Sequence, residues 1–104
     1  MIDEKILTIV VPVYNEEKTI EKVLLSLTKL REKIGSIEII VVNDGSKDNS
    51  LKILRENHNY YDVLINNLQN KGKGNAVKSA LEKANGKYIV FQDADLEYDP
   101  QDFN

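Results

Sequence analysis

The sequence predicts an α/β fold built on an open, mostly parallel sheet with helices on both faces, in the order β-α-β-α-β-α-β. Two observations carry this prediction. Four short segments are apolar and rich in β-branched residues, and the three segments between them have apolar residues at helical spacing. The connections are short and rich in glycine, asparagine and serine, which is typical of turns. Such alternation indicates parallel strands joined by right-handed crossovers.

The predicted strands are short and largely apolar. The first two are nearly all aliphatic, which is typical of strands buried on both faces of a parallel sheet. Pro12 fits only where the first strand ends, because proline cannot donate to a strand ladder. The last strand is also expected to be buried and leads into Asp93-Ala94-Asp95. The strands are predicted over residues 6–13, 37–42, 62–66 and 88–92.

The first predicted helix comes directly after the first strand. Asn15 is its expected N-cap, and Glu16 and Glu17 lie near the positive end of its dipole. The helix runs to about Lys33 and stops at Gly35. Its apolar stripe consists of Ile20, Val23, Leu24, Leu27 and Leu30.

Two further helices complete the alternation. The second covers about residues 51–57, with candidate caps at residues 48–50. The third opens from the glycine- and lysine-rich loop at residues 70–75 and ends at Gly86. Its small-residue face, which suits close packing on a sheet, consists of Ala76, Val77, Ala80, Leu81 and Ala84.

Composition excludes several classes of function. A chain of 104 residues is one domain at most. Without cysteine it forms no disulfide or thiolate metal site, which fits a reducing, cytoplasmic compartment, and its single His58 has no partner for a zinc site. A net charge of −3 does not support broad nucleic-acid binding. The sequence shows neither a signal peptide nor the roughly 20 consecutive apolar residues of a membrane helix.

Polar residues come directly after three of the predicted strands. The segments are Tyr14-Asn15-Glu16, Asn43-Asp44-Gly45-Ser46 and Asp93-Ala94-Asp95. In a parallel sheet they meet at one rim, where open α/β sheets bind ligands. Two acids at i and i+2 can converge on Mg²⁺ or Mn²⁺, which prefer oxygen ligands. Each segment alone is also typical of an ordinary solvated turn.

The loop at residues 72–79 nearly matches two phosphate-binding motifs. Both the P-loop and the dinucleotide fingerprint require glycine at the position that Val77 occupies. Lys71 and Lys73, beside the start of the third helix, are suited to holding an anion. A solvated turn with capping glycines explains the loop equally well.

Four motifs in order resemble those of family 2 glycosyltransferases of the GT-A fold. They lie at residues 10–17, 38–46, 70–76 and 92–100, and the resemblance covers essentially the whole chain. Within the family, the sequence is most similar to polyprenyl-phosphate and dolichol-phosphate mannosyl- or glucosyltransferases. The resemblance implies that residues 1–104 form a single domain, the Rossmann-like N-terminal half that binds a UDP- or GDP-sugar.

The resemblance also implies roles for individual residues. Pro12, Tyr14 and Glu16 match the segment that contacts base and ribose, and Val42 and Asp44 match the second base-binding segment. Asn43 departs from the family, which usually has aspartate there. Asp93 and Asp95 match the DXD motif that holds a divalent metal, Mg²⁺ or Mn²⁺, with Glu97 as a third ligand. The full expected donor-binding set is Pro12, Val13, Tyr14, Glu16, Val42, Asp44, Lys71, Lys73, Asp93, Ala94 and Asp95.

The implied reaction is inverting transfer of a hexose to an acceptor such as a polyprenyl phosphate, at the inner face of a membrane in the full-length context. Family members carry the acceptor site and the catalytic base further along the chain, so no catalytic residue is assigned up to Asn104. We therefore expect this chain to be shorter than the complete family domain and inactive alone. We also expect it to self-associate through exposed apolar surface or an unpaired strand edge.

Two other classes of function remain open from the sequence. The chain is either a catalytically inactive nucleotide-binding module or remnant that self-associates, or an α/β domain whose acids are merely solvated. Metal-dependent binding of a nucleoside diphosphate separates the second of these from the enzyme and the module.

Overall fold

A computed structural model describes residues 6–69, 73–92 and 94, with the backbone alone for Lys73 and Ala76. The alternation of strands and helices is the one that the sequence predicts. The elements are β1 (Leu7–Val13), α1 (Ile20–Ile34), β2 (Ile37–Asp44), α2 (Ser50–Glu56), a short 3₁₀ helix (His58–Tyr60), β3 (Val63–Asn67), α3 (Lys73–Lys83) and β4 (Tyr88–Phe91).

The four strands form one parallel sheet in the order β3-β2-β1-β4. From β1 the chain moves outward to β2 and β3, and then crosses to the other side of β1 to add β4. Crossovers of one hand that run in opposite directions place their helices on opposite faces of a sheet. The strand order therefore reverses beside β1, which is the kind of position where open α/β sheets bind ligands.

Each face of the sheet has its own apolar core. On one face, side chains of α1 and α2 pack against alternate residues of β1 and β2, including Ile9, Val11 and Ile39. On the other face, Ala80 of α3 packs against a cluster that includes Val10 and Val42. Successive strand residues point to opposite faces, so odd-numbered residues of β1 and β2 face α1 and even-numbered ones face α3.

Pro12 lies inside β1, opposite Val42 of β2, although β1 is an interior strand. The carbonyls of Ile6 and Val10 accept hydrogen bonds from the amides of Tyr88 and Gln92, so even-numbered residues of β1 direct their backbone polar groups toward β4. The described pairing with β4 ends at Val10. The missing amide of Pro12 therefore removes no bond of the described ladder.

The two outer strands depart from the predicted burial. β4 was expected to be buried, yet it forms an edge of the sheet as described, and Tyr88, Val90 and Phe91 are exposed, Tyr88 by 68%. Residues of β3 are only half-buried. The exposed apolar edge agrees with the expected self-association, which stays a prediction.

Several predicted helix boundaries are wrong. α1 begins at Ile20, not near Asn15, because residues 17–19 form a turn first. Leu30 and Leu81, which were assigned to inward faces, are exposed. α3 ends at Lys83, so Gly86 does not stop it.

Among the described residues, every helix is too short or too polar to cross a lipid bilayer.

A buried polar cluster, the Glu38 network, closes the end of the sheet where the strands begin. The Glu38 carboxylate accepts hydrogen bonds from the Thr8 hydroxyl at 2.9 Å and from the amide and side chain of Asn85 at 2.9 and 3.0 Å. The Gly86 amide donates to the Thr8 hydroxyl at 2.9 Å. A Cβ at Gly86 would lie 2.5 Å from the Thr8 Oγ1. Glycine is required here by the close approach of two chain segments.

Candidate functional site

The candidate site lies at the opposite end of the sheet, where β1, β2 and β4 end. Three side chains from two strands lie on the α3 face there. Pro12 and Val42 are register partners, and Asp44 lies two residues beyond Val42 on the same face. β2 runs through Asp44, two residues further than predicted, and turns at Gly45, whose φ of 70° favours glycine. The structure thus places an apolar pair beside a buried carboxylate.

The residues at the end of β1 and just beyond it divide between the two faces and the solvent. Tyr14 is 40% exposed, and Glu16 is half-buried. Val13, in contrast, is buried in the core on the α1 face. A ligand on the α3 face can therefore reach Val13 only through its backbone, whereas Tyr14 has the exposed aromatic surface that packs on a planar ring.

Asn15 joins the loop after β1 to the loop after β2. Its amide donates to the Ser46 hydroxyl at 3.0 Å, and its side-chain oxygen accepts from the Lys47 amide at 2.7 Å. Asn15 has a φ of 54°, a left-handed conformation that asparagine tolerates better than most residues. The predicted N-cap of α1 is thus a link between two loops.

A second set of bonds joins the same loops closer to the helices. The Glu16 amide donates to the Ser50 hydroxyl at 2.8 Å, and the Asp48 carboxylate accepts from the amides of Glu17 at 3.2 Å and Ser50 at 2.9 Å. Desolvation of the Asp48 carboxyl raises its pKa, but hydrogen bonds from the Ser50 side chain and amide and from the Glu17 amide outweigh that effect and lower the pKa. Asp48 is therefore an anionic anchor for both loops.

Amide side chains connect the ends of β2 and β3. The Asn43 side chain donates to Asn66 at 2.9 Å and accepts from the Ser46 hydroxyl at 2.6 Å. The Asn67 side chain donates to the Asp44 carboxylate at 3.2 Å. Asn43 uses its donor and its acceptor at once, which an ionised aspartate cannot do because it has no donor.

Ala94 shows where the chain goes after β4. Its side chain is buried against the α1-face core, and its carbonyl accepts a hydrogen bond from the Thr19 hydroxyl at the start of α1. This contact brings the chain after β4 next to the loop after β1. The other predicted ligands of an anion or metal, Lys71, Asp93, Asp95 and Glu97, lie outside the described residues, as does the Lys73 side chain.

No cluster of three histidine or acidic side chains that could hold a metal occurs within residues 6–69, 73–92 and 94. Asp93, Asp95 and Glu97, which lie outside the described residues, carry carboxylate oxygens, the donor type that Mg²⁺ and Mn²⁺ prefer, so the residue chemistry fits such a cation.

The sequence prediction missed three contributors to the rim. Asn66 and Asn67 were placed at or beyond the end of a strand, with no sign that they reach β2. Thr19 was placed inside the first helix. The signal for the asparagines was their register: polar residues at the ends of adjacent parallel strands lie side by side.

Comparison with known proteins agrees with this architecture. The family model described as Glycosyl transferase family 2 matches residues 8–104. The dolichyl-phosphate beta-glucosyltransferase of Saccharomyces cerevisiae is 44% identical over 106 residues, which cover 89% of this chain and 31% of that protein.

Two solved structures are similar to the chain. The mannosyltransferase PcManGT from Pyrobaculum calidifontis, in complex with GDP-Man and Mn²⁺, has a TM-score of 0.77 and 30% identity, covering 88% of this chain and 28% of the other. TarS from S. aureus (residues 1–349), in complex with UDP-GlcNAc, has a TM-score of 0.77 and 33% identity, covering 86% and 26%. The chain spans between 30% and 42% of the length of five curated relatives that it matches.

Proposed function

The chain belongs to glycosyl transferase family 2, and on that premise we propose that it binds the nucleoside-diphosphate sugar for an inverting hexosyltransferase. Its likeness to the solved mannosyltransferase confirms the predicted Rossmann-like, GT-A fold class. The donor is a UDP- or GDP-sugar, and residues 1–104 are its binding domain.

One observation carries the proposal: Pro12, Val42 and Asp44 share one face beside the point where the strand order reverses. An apolar pair packs against a planar base, and a carboxylate accepts from its ring N–H. Tyr14 and Glu16 lie in the adjoining loop, where an aromatic ring and a second acid suit a nucleoside. Similar structures with GDP-Man and with UDP-GlcNAc support a nucleotide sugar.

A divalent cation completes the proposed donor site. Asp93 and Asp95 are its proposed ligands, with Glu97 as a third, and the Ala94–Thr19 contact supports a position for this segment beside the loop after β1. When bound, the cation offsets the charge of the diphosphate that leaves. The similar mannosyltransferase structure contains Mn²⁺, and Mg²⁺ has the same preference for oxygen ligands. Lys71 and Lys73 are proposed as additional diphosphate contacts.

The proposed reaction is an in-line displacement at the anomeric carbon. An acceptor oxygen forms the new bond to that carbon as the bond to the nucleoside diphosphate breaks, which inverts the anomeric configuration. We propose a polyprenyl phosphate as the acceptor, because the yeast relative is named for dolichyl phosphate. In the full-length context we expect the reaction at the cytoplasmic face of a membrane. The proposed role of residues 1–104 in it is to hold the donor and the leaving group.

Calorimetry with UDP and GDP, each with and without Mn²⁺, tests the donor site. We expect the chain to bind one nucleotide more tightly than the other and only with the metal. Replacing both Asp93 and Asp95 with alanine should weaken the metal-dependent binding by more than ~100-fold, because it removes the proposed charged ligands of the cation.

The matched control replaces Glu32 and Glu82 with alanine. Both carboxylates are exposed near the C-terminal ends of α1 and α3, so this variant loses the same net charge away from the rim. Binding by the control should equal that of the wild type. The proposal is wrong if the wild type binds neither nucleotide with Mn²⁺, or if the Asp93 and Asp95 variant binds as well as the control.

A further inference from the structure

We propose that Asn67 is a positioning residue that orients the Asp44 carboxylate toward the base of the bound nucleotide. The inference rests on the proposed function, because it assumes that Asp44 meets the base. Neither the motifs of the sequence nor the predicted site includes Asn67. Its assignment comes from the pairing of β2 with β3.

Asn67 and Asp44 are the last register partners of β2 and β3. Both lie on the α3 face, the face that Pro12 and Val42 share. The Asn67 Nδ2 donates to the Asp44 Oδ1 at 3.2 Å, and Asp44 is only 4% exposed. The contact thus fixes one carboxylate oxygen at the edge of the proposed base site.

Orientation matters because Asp44 is the final residue of its strand and Gly45 comes next in a turn. An aspartate side chain rotates about two bonds, and a hydrogen bond to one oxygen restricts both. A carboxylate that is already oriented loses less conformational freedom when a ligand binds. The amide of Asn67 also leaves the carboxylate charge in place, whereas a lysine there would neutralise it.

A second side-chain link between β2 and β3 is supplied by the neighbour of Asn67. The Asn43–Asn66 bond on the opposite face joins the same two strands, and the backbone ladder holds their register. Asn66 therefore links β3 to β2 through Asn43. Asn43 in turn accepts a hydrogen bond from Ser46 in the loop after β2. The bond from Asn67, on the α3 face, in addition orients the Asp44 carboxylate.

Calorimetric titration of UDP and GDP with Mn²⁺ tests the proposal on two variants and a control. Asn67→Ala should weaken binding by about 10-fold, the scale of one lost hydrogen bond to a charged group. Asn67→Asp keeps the size of the side chain but places a second carboxylate beside Asp44, and should weaken binding more. Asn59→Ala, an exposed asparagine of the 3₁₀ helix, should bind as the wild type does.

A double-mutant cycle with Asp44→Ala identifies the mechanism. If Asn67 acts through Asp44, adding Asn67→Ala to Asp44→Ala causes no further loss of affinity. Additive losses overturn the proposal, and so does a lowered Tm of Asn67→Ala with unchanged affinity, which assigns a structural role alone. If the wild type binds neither nucleotide, the proposed function fails first and the inference falls with it. If the wild type binds and Asn67→Ala binds equally well, the inference alone fails.

Discussion

The two ends of the sheet each hold a buried acid on β2, yet we propose a ligand at only one of them. Glu38 at one end is 5% exposed and Asp44 at the other is 4% exposed. The Glu38 network fills its surroundings with the chain's own donors, including the Asn85 and Gly86 segment. Asp44 is followed by a turn and shares its face with Pro12 and Val42. Burial of an acid is therefore a poor guide to function unless its position in the strand order is considered.

Removal of the Glu38 carboxylate is expected to produce the largest effect. Glu38→Ala leaves the Thr8 hydroxyl and two donors of Asn85 without their acceptor, and should lower the free energy of unfolding by ~3 kcal/mol. Urea denaturation measures this loss. Glu32→Ala, an exposed carboxylate of α1, should change stability by less than ~0.5 kcal/mol. A loss at Glu38 no larger than at Glu32 would show that the network does not stabilise the sheet.

Adding a methyl group at Gly86 tests the close packing at the same end of the sheet, beside the Glu38 network. Gly86→Ala places a Cβ 2.5 Å from the Thr8 Oγ1 and 2.6 Å from its backbone nitrogen, so the unfolding free energy should fall by ~2 kcal/mol. Gly74→Ala is the control: in α3, no described atom outside its own helix lies within 4 Å of the new Cβ, so the change should stabilise the chain by ~0.5 kcal/mol. The comparison fails if both substitutions shift the Tm in the same direction.

The smallest expected effect on the free energy of unfolding comes from Asp48, at the candidate-site end of the sheet, and it appears only at acidic pH. Asp48 has a lowered pKa in the folded chain, so its ionised form stabilises the fold above the unfolded-state pKa. That contribution is lost as the pH falls through the folded-state pKa. Asp48→Asn should therefore show a smaller loss of unfolding free energy than the wild type between about pH 7 and about pH 3.

Urea denaturation at both pH values measures the effect of Asp48→Asn. Glu21→Gln makes the same change of charge at an exposed position and should keep the pH dependence of the wild type. If the free energy of unfolding of Asp48→Asn and Glu21→Gln depends on pH to the same extent, Asp48 is not an anionic anchor.

The interior of the fold was predictable because local patterns determine it. The aliphatic runs of β1 and β2 and the stripe from Ile20 to Leu27 are buried as predicted. Leu30 lies on the same stripe but is exposed, and no local pattern indicates where along a helix its cover ends. β4 is as apolar as a buried strand, but its exposure depends on which elements lie beside it.

The candidate site was predictable only in outline. Parallel strands bring the segments after β1, β2 and β4 to one end, so the topology alone places Tyr14, Asp44 and Ala94 at the same rim. The side-chain links that hold this rim, such as Asn15 to Lys47 and Asn67 to Asp44, join residues that are distant in sequence. Asparagine in a loop is more often a local cap, which is why Asn15 was misassigned.

Pro12 leaves β1 without a backbone donor on the side that faces β4. β1 continues to Val13, three residues past its last described pairing with β4, which is roughly 10 Å at the rise of a strand. A strand from another chain that paired with β1 along this stretch would receive no hydrogen bond from Pro12, because proline has no backbone amide proton. The residue proposed to pack on the base thus also offers one hydrogen bond fewer to any strand that pairs with β1 beyond Val10.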